Sequence, residues 1–556
     1  MNRRSILGAL TGQSPGETFK EYAPKKLFQL NEGLEPYTGP WEFEQAAHLL
    51  RRTTFGPNIS HINNAVEIGL EGTITKLFAA APLPPPPINY DYNNDPFTPK
   101  GSTWVDQPYS REVNLQGYRR RTLRAWTIGL MLNEGISIKE KLTLFWHNHF
   151  APSNIIDANY EYIHVSLLRE HAWGNFKELI KRITIDPAML RFLNGNQNTE
   201  KAPNENYARE LLELYTLGKG QLAGPGDYTT FTEDDVLAVA RVLTGWRDRG
   251  YLRKSADTQV GAYYTSNRHD TGNKQLSHRF DSVVISDNGK TEYSKLIDII
   301  FQRKEVARFI CRKWYRWFVY YKIDENIEAS VIEPMAELLI DNDFEIRPVL
   351  EALLRSEHFY NALNVGPMIK NPIDFMLGPF KQFNVRFSVN YTKYYNAWWK
   401  FFTVLPKMQM EYLNPPDVAG WKAYYQEPSF YRTWINSSTL PVRMEVVEKL
   451  SDNGYTYNSF KHQIDVLTFA QTLDNPSDPN ALIQETARLL YPKPLTDKQV
   501  SAIKDILIPG LEDYVWTNEY TDYISSPNNE NYKRTVENRL RKLIKIMLTM
   551  PEYQLS

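Results

Sequence analysis

Residues 137–150, Ser137-Ile138-Lys139-Glu140-Lys141-Leu142-Thr143-Leu144-Phe145-Trp146-His147-Asn148-His149-Phe150, read as one helix. Ile138, Leu142, Phe145, Trp146 and His149 recur at spacings of three and four, the period of a single helix face. Ser137 with Glu140 three positions on has the form of a capping box, and Pro152 stops the helix. The segment closes on two histidines set among aromatic residues. Burying such groups is costly without partners, so the segment points both to a helical body and to a polar site within it.

A second polar-studded helix is predicted about fifty residues later, over 203–217. Outward from this pair, helical periodicity is readable at 114–132, 160–172, 175–185 and 233–246, the last capped by Thr232 with Asp235. It resumes at 292–321, 328–341, 346–356, 370–384, 393–404, 439–451, 480–491, 497–507 and 533–549. A further helix starts near Trp41, and the proline run 82–87 opens a loop to about Pro108. Between Tyr251 and Gly289 the pattern turns to alternation and turn residues, which predicts a small β element or ordered loop near 251–290. The expected fold is mostly α and multi-helical, in two closely packed lobes. Residues 1–40 form an extended arm or export signal, 41–365 the main helical domain and 366–556 a C-terminal helical lobe.

Composition narrows the function. Lys+Arg 64 against Asp+Glu 65 gives a net charge of −1, which leaves no electrostatic footprint for nucleic acid. Cys311 is the only cysteine, so neither an internal disulfide nor a cysteine-rich zinc site can form. No apolar run reaches the ~18 residues of a transmembrane span. Arg3-Arg4-Ser5-Ile6-Leu7 resembles a twin-arginine signal, though the apolar stretch behind it is short and broken by Gly8. Periplasmic or secreted placement is the expectation, with the cytoplasm as the alternative. Gly12-x-Ser14-x-Gly16 lacks the strand a nucleophile elbow requires, and Gly289-Lys290-Thr291 lacks the first glycine of a P-loop.

Several segments together resemble the bacterial family known as domain of unknown function 1800. They are Ala46-Ala47-His48-Leu49-Leu50-Arg51-Arg52-Thr53-Thr54-Phe55-Gly56, Trp146-His147-Asn148-His149-Phe150 and Asn206-Tyr207-Ala208-Arg209-Glu210-Leu211. Ala240-Arg241-Val242-Leu243-Thr244-Gly245-Trp246, His269-Asp270 and Asn414-Pro415-Pro416-Asp417-Val418-Ala419-Gly420-Trp421 complete the set. The resemblance implies a mostly helical, often exported protein without an established activity. Its relatives are often encoded beside sulfatase-like proteins.

The candidate chemistry follows from residue type. His149, on the apolar stripe, is expected to point inward. His147, about 200° round the helix, is expected to point sideways or out, so the two cannot share a metal while the backbone stays helical. Asn206, Glu210 and Glu213 share one stripe of the next helix, with Arg209 on its flank. Glu210 is a candidate acid/base group with His149, and Arg209 and Asn206 are candidates for holding an anionic substrate group. His269 and Asp270 are a second proton-transfer pair, carried on a loop. A divalent metal is a possible cofactor, with His147, His149, Glu210 and Glu213 as candidate ligands. Lys304, Arg308, Arg312 and Arg316 make a basic helix stripe able to hold sulfate, phosphate or carboxylate. Trp246 and Trp421 are candidate faces for a sugar ring. Each set has a structural alternative: core packing, or arginine–carboxylate networks between helices. The expected function is a hydrolase or transferase acting on a polar or anionic glycan or other anionic small molecule. The alternative is a helical scaffold for a partner such as a sulfatase-like protein.

Overall fold

The computed structural model describes residues 33–556. Residues 1–32, with the arginine pair and the Gly12–Gly16 match, lie outside the described residues. The chain is mostly α, and its strands form only small two-stranded antiparallel ladders. Two of these fall in or beside the expected region: Trp246–Arg249, just ahead of it, pairs with Gly261–Tyr264, and Lys274–Gln275 pairs with Val284–Ile285. No described helix is long and apolar enough to cross a membrane.

Local chemistry sets the helix ends. Asp157, Asn175, Asp186 and Asn371 each accept a backbone N–H in the first turn of the helix they precede. The Thr232/Asp235 capping box forms as expected. The box at Ser137 does not. The helix is Lys139–Phe150, Ser137 Oγ accepts from the Lys139 N–H at 3.1 Å, and the Glu140 carboxylate turns away to Arg169. The buried Arg169 guanidinium donates to Glu140 at 2.6 and 2.9 Å, a two-pronged pair stronger than a cap. The predicted helix 292–321 is two helices, Glu292–Ile300 and Lys304–Phe318. The helix predicted over 203–217 begins as α at Glu205–Glu210 and widens into a π-helix over Leu211–Thr216.

One apolar core runs from Ala46 to Tyr553. Contacts cross residue 365 freely. The helix Gln116–Asn133 packs along Tyr391–Phe402, where Gly129 leaves room for the Trp398 ring. Arg51 donates to the Arg488 carbonyl and, at 3.1 Å, to that of Leu489, while Lys370 donates to the Tyr553 carbonyl at 2.7 Å. The Phe43–Thr53 helix, the 366–376 segment and the chain's last helices therefore share one interior.

Candidate functional site

The Lys139–Phe150 helix is enclosed on every side, and each residue from Glu140 to Phe150 is buried. Its two histidines do face opposite ways, but His147 is buried rather than outward. The surrounding 412–421 segment and His164 cover it. His147 Nε2 accepts the Leu413 N–H at 3.1 Å, and its ring lies edge-on to Tyr412 and His164. Asn148 Oδ1, between the two histidines, accepts the Trp421 N–H at 3.0 Å. Gly420, at φ +93°, permits this approach, because a Cβ there would collide with the Asn148 carbonyl and side chain.

His149 points into a different environment. Its Nε2 lies 3.2 Å from the Tyr215 carbonyl, and Lys313 Nζ lies 3.1 Å from its Nδ1 and 3.2 Å from the Leu214 carbonyl. Those two oxygens stand in the last turn of the π-helix, where carbonyls have no partner within the helix. A carbonyl can only accept, so Nε2 carries the imidazole proton and Nδ1 accepts from Lys313. Burial and the neighbouring Lys313 hold His149 well below the usual histidine range, so the ring is neutral. Burial, with the charge of Arg316 behind it, pushes Lys313 down to about 7.

Lys313 and His149 line a cavity of about 40 Å³ with Arg316, Asn148 and the rings of Tyr321 and Phe430. A second hollow of about 30 Å³ adjoins it and shares the walls Trp317, Met368, Tyr424 and Tyr431. Arg51, Arg52, Lys141 and Asp374 enter that second space. Across both, the side-chain cations are Arg51, Arg52, Lys141, Lys313 and Arg316, and the one side-chain carboxylate, Asp374, is taken by Lys141. Arg52 is 3% exposed, and among the described residues its Nε and Nη1 meet no hydrogen-bond acceptor; only Nη2 donates, to the Asn364 carbonyl at 2.9 Å. Desolvation lowers Arg52 to about 10. Arg316 donates to the Tyr321 carbonyl at 3.2 Å, lies over the Phe430 ring and has no carboxylate within ion-pair distance among the described residues. The rest of its stripe is neutralised: Lys304 by Glu333 and Glu337, Arg308 by Glu305 and Glu333, Arg312 by Glu305 and Glu328.

The remaining sequence candidates lie elsewhere. Arg209 is held two-pronged by Glu233 at 2.8 and 2.6 Å, which occupies the fork expected to clamp an anion. Asn206 sits exposed in the helix's first turn. Glu213 pairs with Lys219 at 3.3 Å. Glu210 is half-buried and makes no hydrogen bond among the described residues; burial and then the charge of Glu213 raise its pKa. Trp421 is buried at 1% exposure and offers no free face to a sugar, while Trp246 is half-buried with edge contacts to Tyr264 and Tyr293.

His269 and Asp270 anchor the β-containing insert. Asp270 is gripped by Arg241 at 2.6 and 3.1 Å. His269 Nδ1 donates to the Thr244 carbonyl at 2.9 Å, and Nε2 lies 3.1 Å from Glu292 and 3.6 Å from Asp287. Burial opposes the charged imidazole, but the hydrogen bonds to Glu292 and Thr244 outweigh it and raise the His269 pKa. The fully buried Lys274 completes the set, 2.7 Å from Glu292. No hydrogen bond, ion pair or ring contact among the described residues joins this network to His149, and the four proposed metal ligands do not gather. Among the described residues, the trio with metal-like spacing is His269, Asp287 and Glu292.

The sequence carries a signal for the cavity at Lys313 and a weaker one at Arg51-Arg52. Lys313 falls on the stripe Val306, Ile310, Lys313, Trp317, where spacings of four and three place a lysine on the apolar face. Arg51-Arg52 ends a helix as C-terminal basic residues often do, which hid their burial.

The family description "Protein of unknown function (DUF1800)" matches residues 48–555. No curated protein and no solved structure matches the chain. That match covers nearly the whole sequence, so the chain belongs to the DUF1800 family of proteins of unknown function.

Proposed function

We propose that the chain is an enzyme of hydrolytic or transfer type acting on a small anionic substrate, with an acidic sugar as the class to test first. His149 and Lys313 are its proton-transfer pair, and Arg52 and Arg316 hold the acid group. The observation that carries this reading is Arg52, a buried guanidinium with two nitrogens unpartnered that lines, with Arg51, the hollow beside the one lined by Lys313 and Arg316. Asp374 favours the Arg52 charge only at a distance, being paired with Lys141; a buried charge without a direct ion-pair partner is expensive, and a bound anion offsets that cost. Two neighbouring spaces of about 40 and 30 Å³ have room for an acid group and little else, since a water needs ~10–15 Å³ on this kind of measure.

Calorimetric titration with glucuronate, glucose 6-phosphate and inorganic sulfate, against neutral glucose, tests this reading. The acidic ligands are expected to bind and glucose is not. Arg52→Met and Arg316→Met are each expected to weaken binding about tenfold or more, as lost charge-assisted hydrogen bonds do. Failure of every anion at millimolar concentration overturns the reading, as does full binding by the double variant. The Arg3-Arg4 pair supports export, and fractionation of a C-terminally tagged chain in a bacterial host tests it.

A further inference from the structure

We propose that Lys313 is a covalent residue, whose Nζ condenses with the carbonyl carbon of a small carbonyl acid, of which 2-oxo acids are the simplest, to form an imine. The inference rests on the anion-binding reading above and adds bond formation to it.

The argument begins with hydrogen-bond valence. Nζ has two acceptors, His149 Nδ1 at 3.1 Å and the Leu214 carbonyl at 3.2 Å. The His149 tautomer is fixed by the Tyr215 carbonyl, so Nδ1 can only accept. A neutral amine spends both its protons on these two partners. The fourth tetrahedral position of the nitrogen is then its lone pair, and Lys313 lines the cavity. No carboxylate lies within ion-pair distance among the described residues to keep the group protonated, and an enclosed wall with Arg316 nearby favours the neutral form. Surface lysines lack all of these features.

The ligand class follows from the neighbours. Arg316, on the same helix, borders the same cavity, and Arg52 borders the adjoining one. A carbonyl compound seated there needs an acid group close to its reactive carbon and must be small. A 2-oxo acid has both properties.

The step balances without an oxidant or reductant. The Nζ lone pair attacks the carbonyl carbon, the carbonyl oxygen takes a proton, and a carbinolamine forms. The C–O bond then breaks and the oxygen leaves as water. The proton lost by nitrogen passes to the departing oxygen, with His149 Nδ1 as the nearest acceptor. Amine and carbonyl become imine and water.

The test is reductive trapping of the whole protein at pH 7 with glyoxylate or pyruvate and cyanoborohydride, read by intact mass and peptide mapping. The expected product is one adduct at Lys313, equal in mass to the acid less one oxygen. Its rate should exceed that of a surface lysine by up to about 10³, the ratio of neutral-amine fractions for groups titrating near 7 and near 10.4. Lys313→Arg, which keeps a hydrogen-bonding cation, is expected to lose the adduct. Labelling spread evenly over surface lysines, or unchanged in Lys313→Arg, overturns the proposal. Lactate, which cannot form an imine, is titrated in parallel. If lactate binds and no adduct forms, the covalent step alone fails. If neither acid engages the protein, the anion-binding reading fails with it.

Discussion

Replacing Lys313 with methionine should change the pH dependence of stability in a way that follows from the cavity's geometry. A lysine unfolded in water titrates near 10.4, whereas folding encloses Lys313 and brings it down to about 7. Between these values the unfolded chain binds the extra proton and the folded chain does not, so wild-type stability rises with pH across that window. At pH 7 the folded state is penalised by about 4 kcal/mol, and at pH 9 by about 2 kcal/mol, taking 1.36 kcal/mol per unit. Methionine removes the titration and leaves His149 Nδ1 and the Leu214 carbonyl without a donor, which costs about 1–3 kcal/mol at any pH in this range. The two effects oppose each other near pH 7. The variant should therefore exceed wild type at pH 7 and lose about 2 kcal/mol of that advantage by pH 9, where the two proteins come out about equal. Other buried lysines, Lys370 and Lys381, are pushed down too and tilt both curves alike, so the comparison between the proteins isolates Lys313. Urea unfolding followed by tryptophan fluorescence at pH 7, 8 and 9 gives the two curves. A difference constant within about 0.5 kcal/mol across the series would show that Lys313 stays charged in the fold, which would refute the reasoning.

Three further outcomes follow from the buried pairs. Arg52→Met should leave thermal stability unchanged or raised, because it deletes a desolvated charge with two unpartnered nitrogens; a drop of several degrees would mean that the guanidinium serves packing instead. Glu140→Gln should cost about 3–5 kcal/mol in urea unfolding, since it strands the buried Arg169, and a loss under 1 kcal/mol would contradict that view. Glu292→Gln should be most destabilising in mild acid. The raised His269 pKa contributes stability that is complete below its unfolded value near 6.5 and is lost as pH rises through the folded value. The gap between wild type and variant should therefore be wider at pH 6 than at pH 8.5 in thermal unfolding, and the reverse order would exclude a protonated His269 in the fold.

The helical architecture was legible because its signal is local. Spacings of three and four, prolines after helix ends and the Thr232 cap each act within a few residues, and the structure places helices where they recur. Structure and local sequence signal part where a distant partner overrides the local choice. Glu140 has a capping position available and leaves it for Arg169, because two charge-assisted bonds in a dry interior exceed one cap. The π-turn after Glu210 has no periodic signature in the sequence, yet its last turn presents the Leu214 and Tyr215 carbonyls that orient Lys313 and His149.

The same logic separates functional charge from structural charge in this fold. Arg209, Asp270 and His269, the conspicuous charged groups of the sequence motifs, are each paired in the fold, with Glu233, Arg241 and Glu292. A charge that braces two elements needs its partner permanently, so its valence is spent. A charge kept for a ligand must stay unspent in the free protein, at a cost in stability. Arg52 meets that condition with two nitrogens, whereas Lys313, its N–H groups taken by His149 and the Leu214 carbonyl, keeps only a lone pair, and His149 is locked in the tautomer that serves it. Residue type alone cannot distinguish the two uses, because both place arginine, lysine and histidine on apolar helix faces. The distinguishing quantity is the unmet hydrogen-bond valence at a cavity wall, which exists only once the chain is folded.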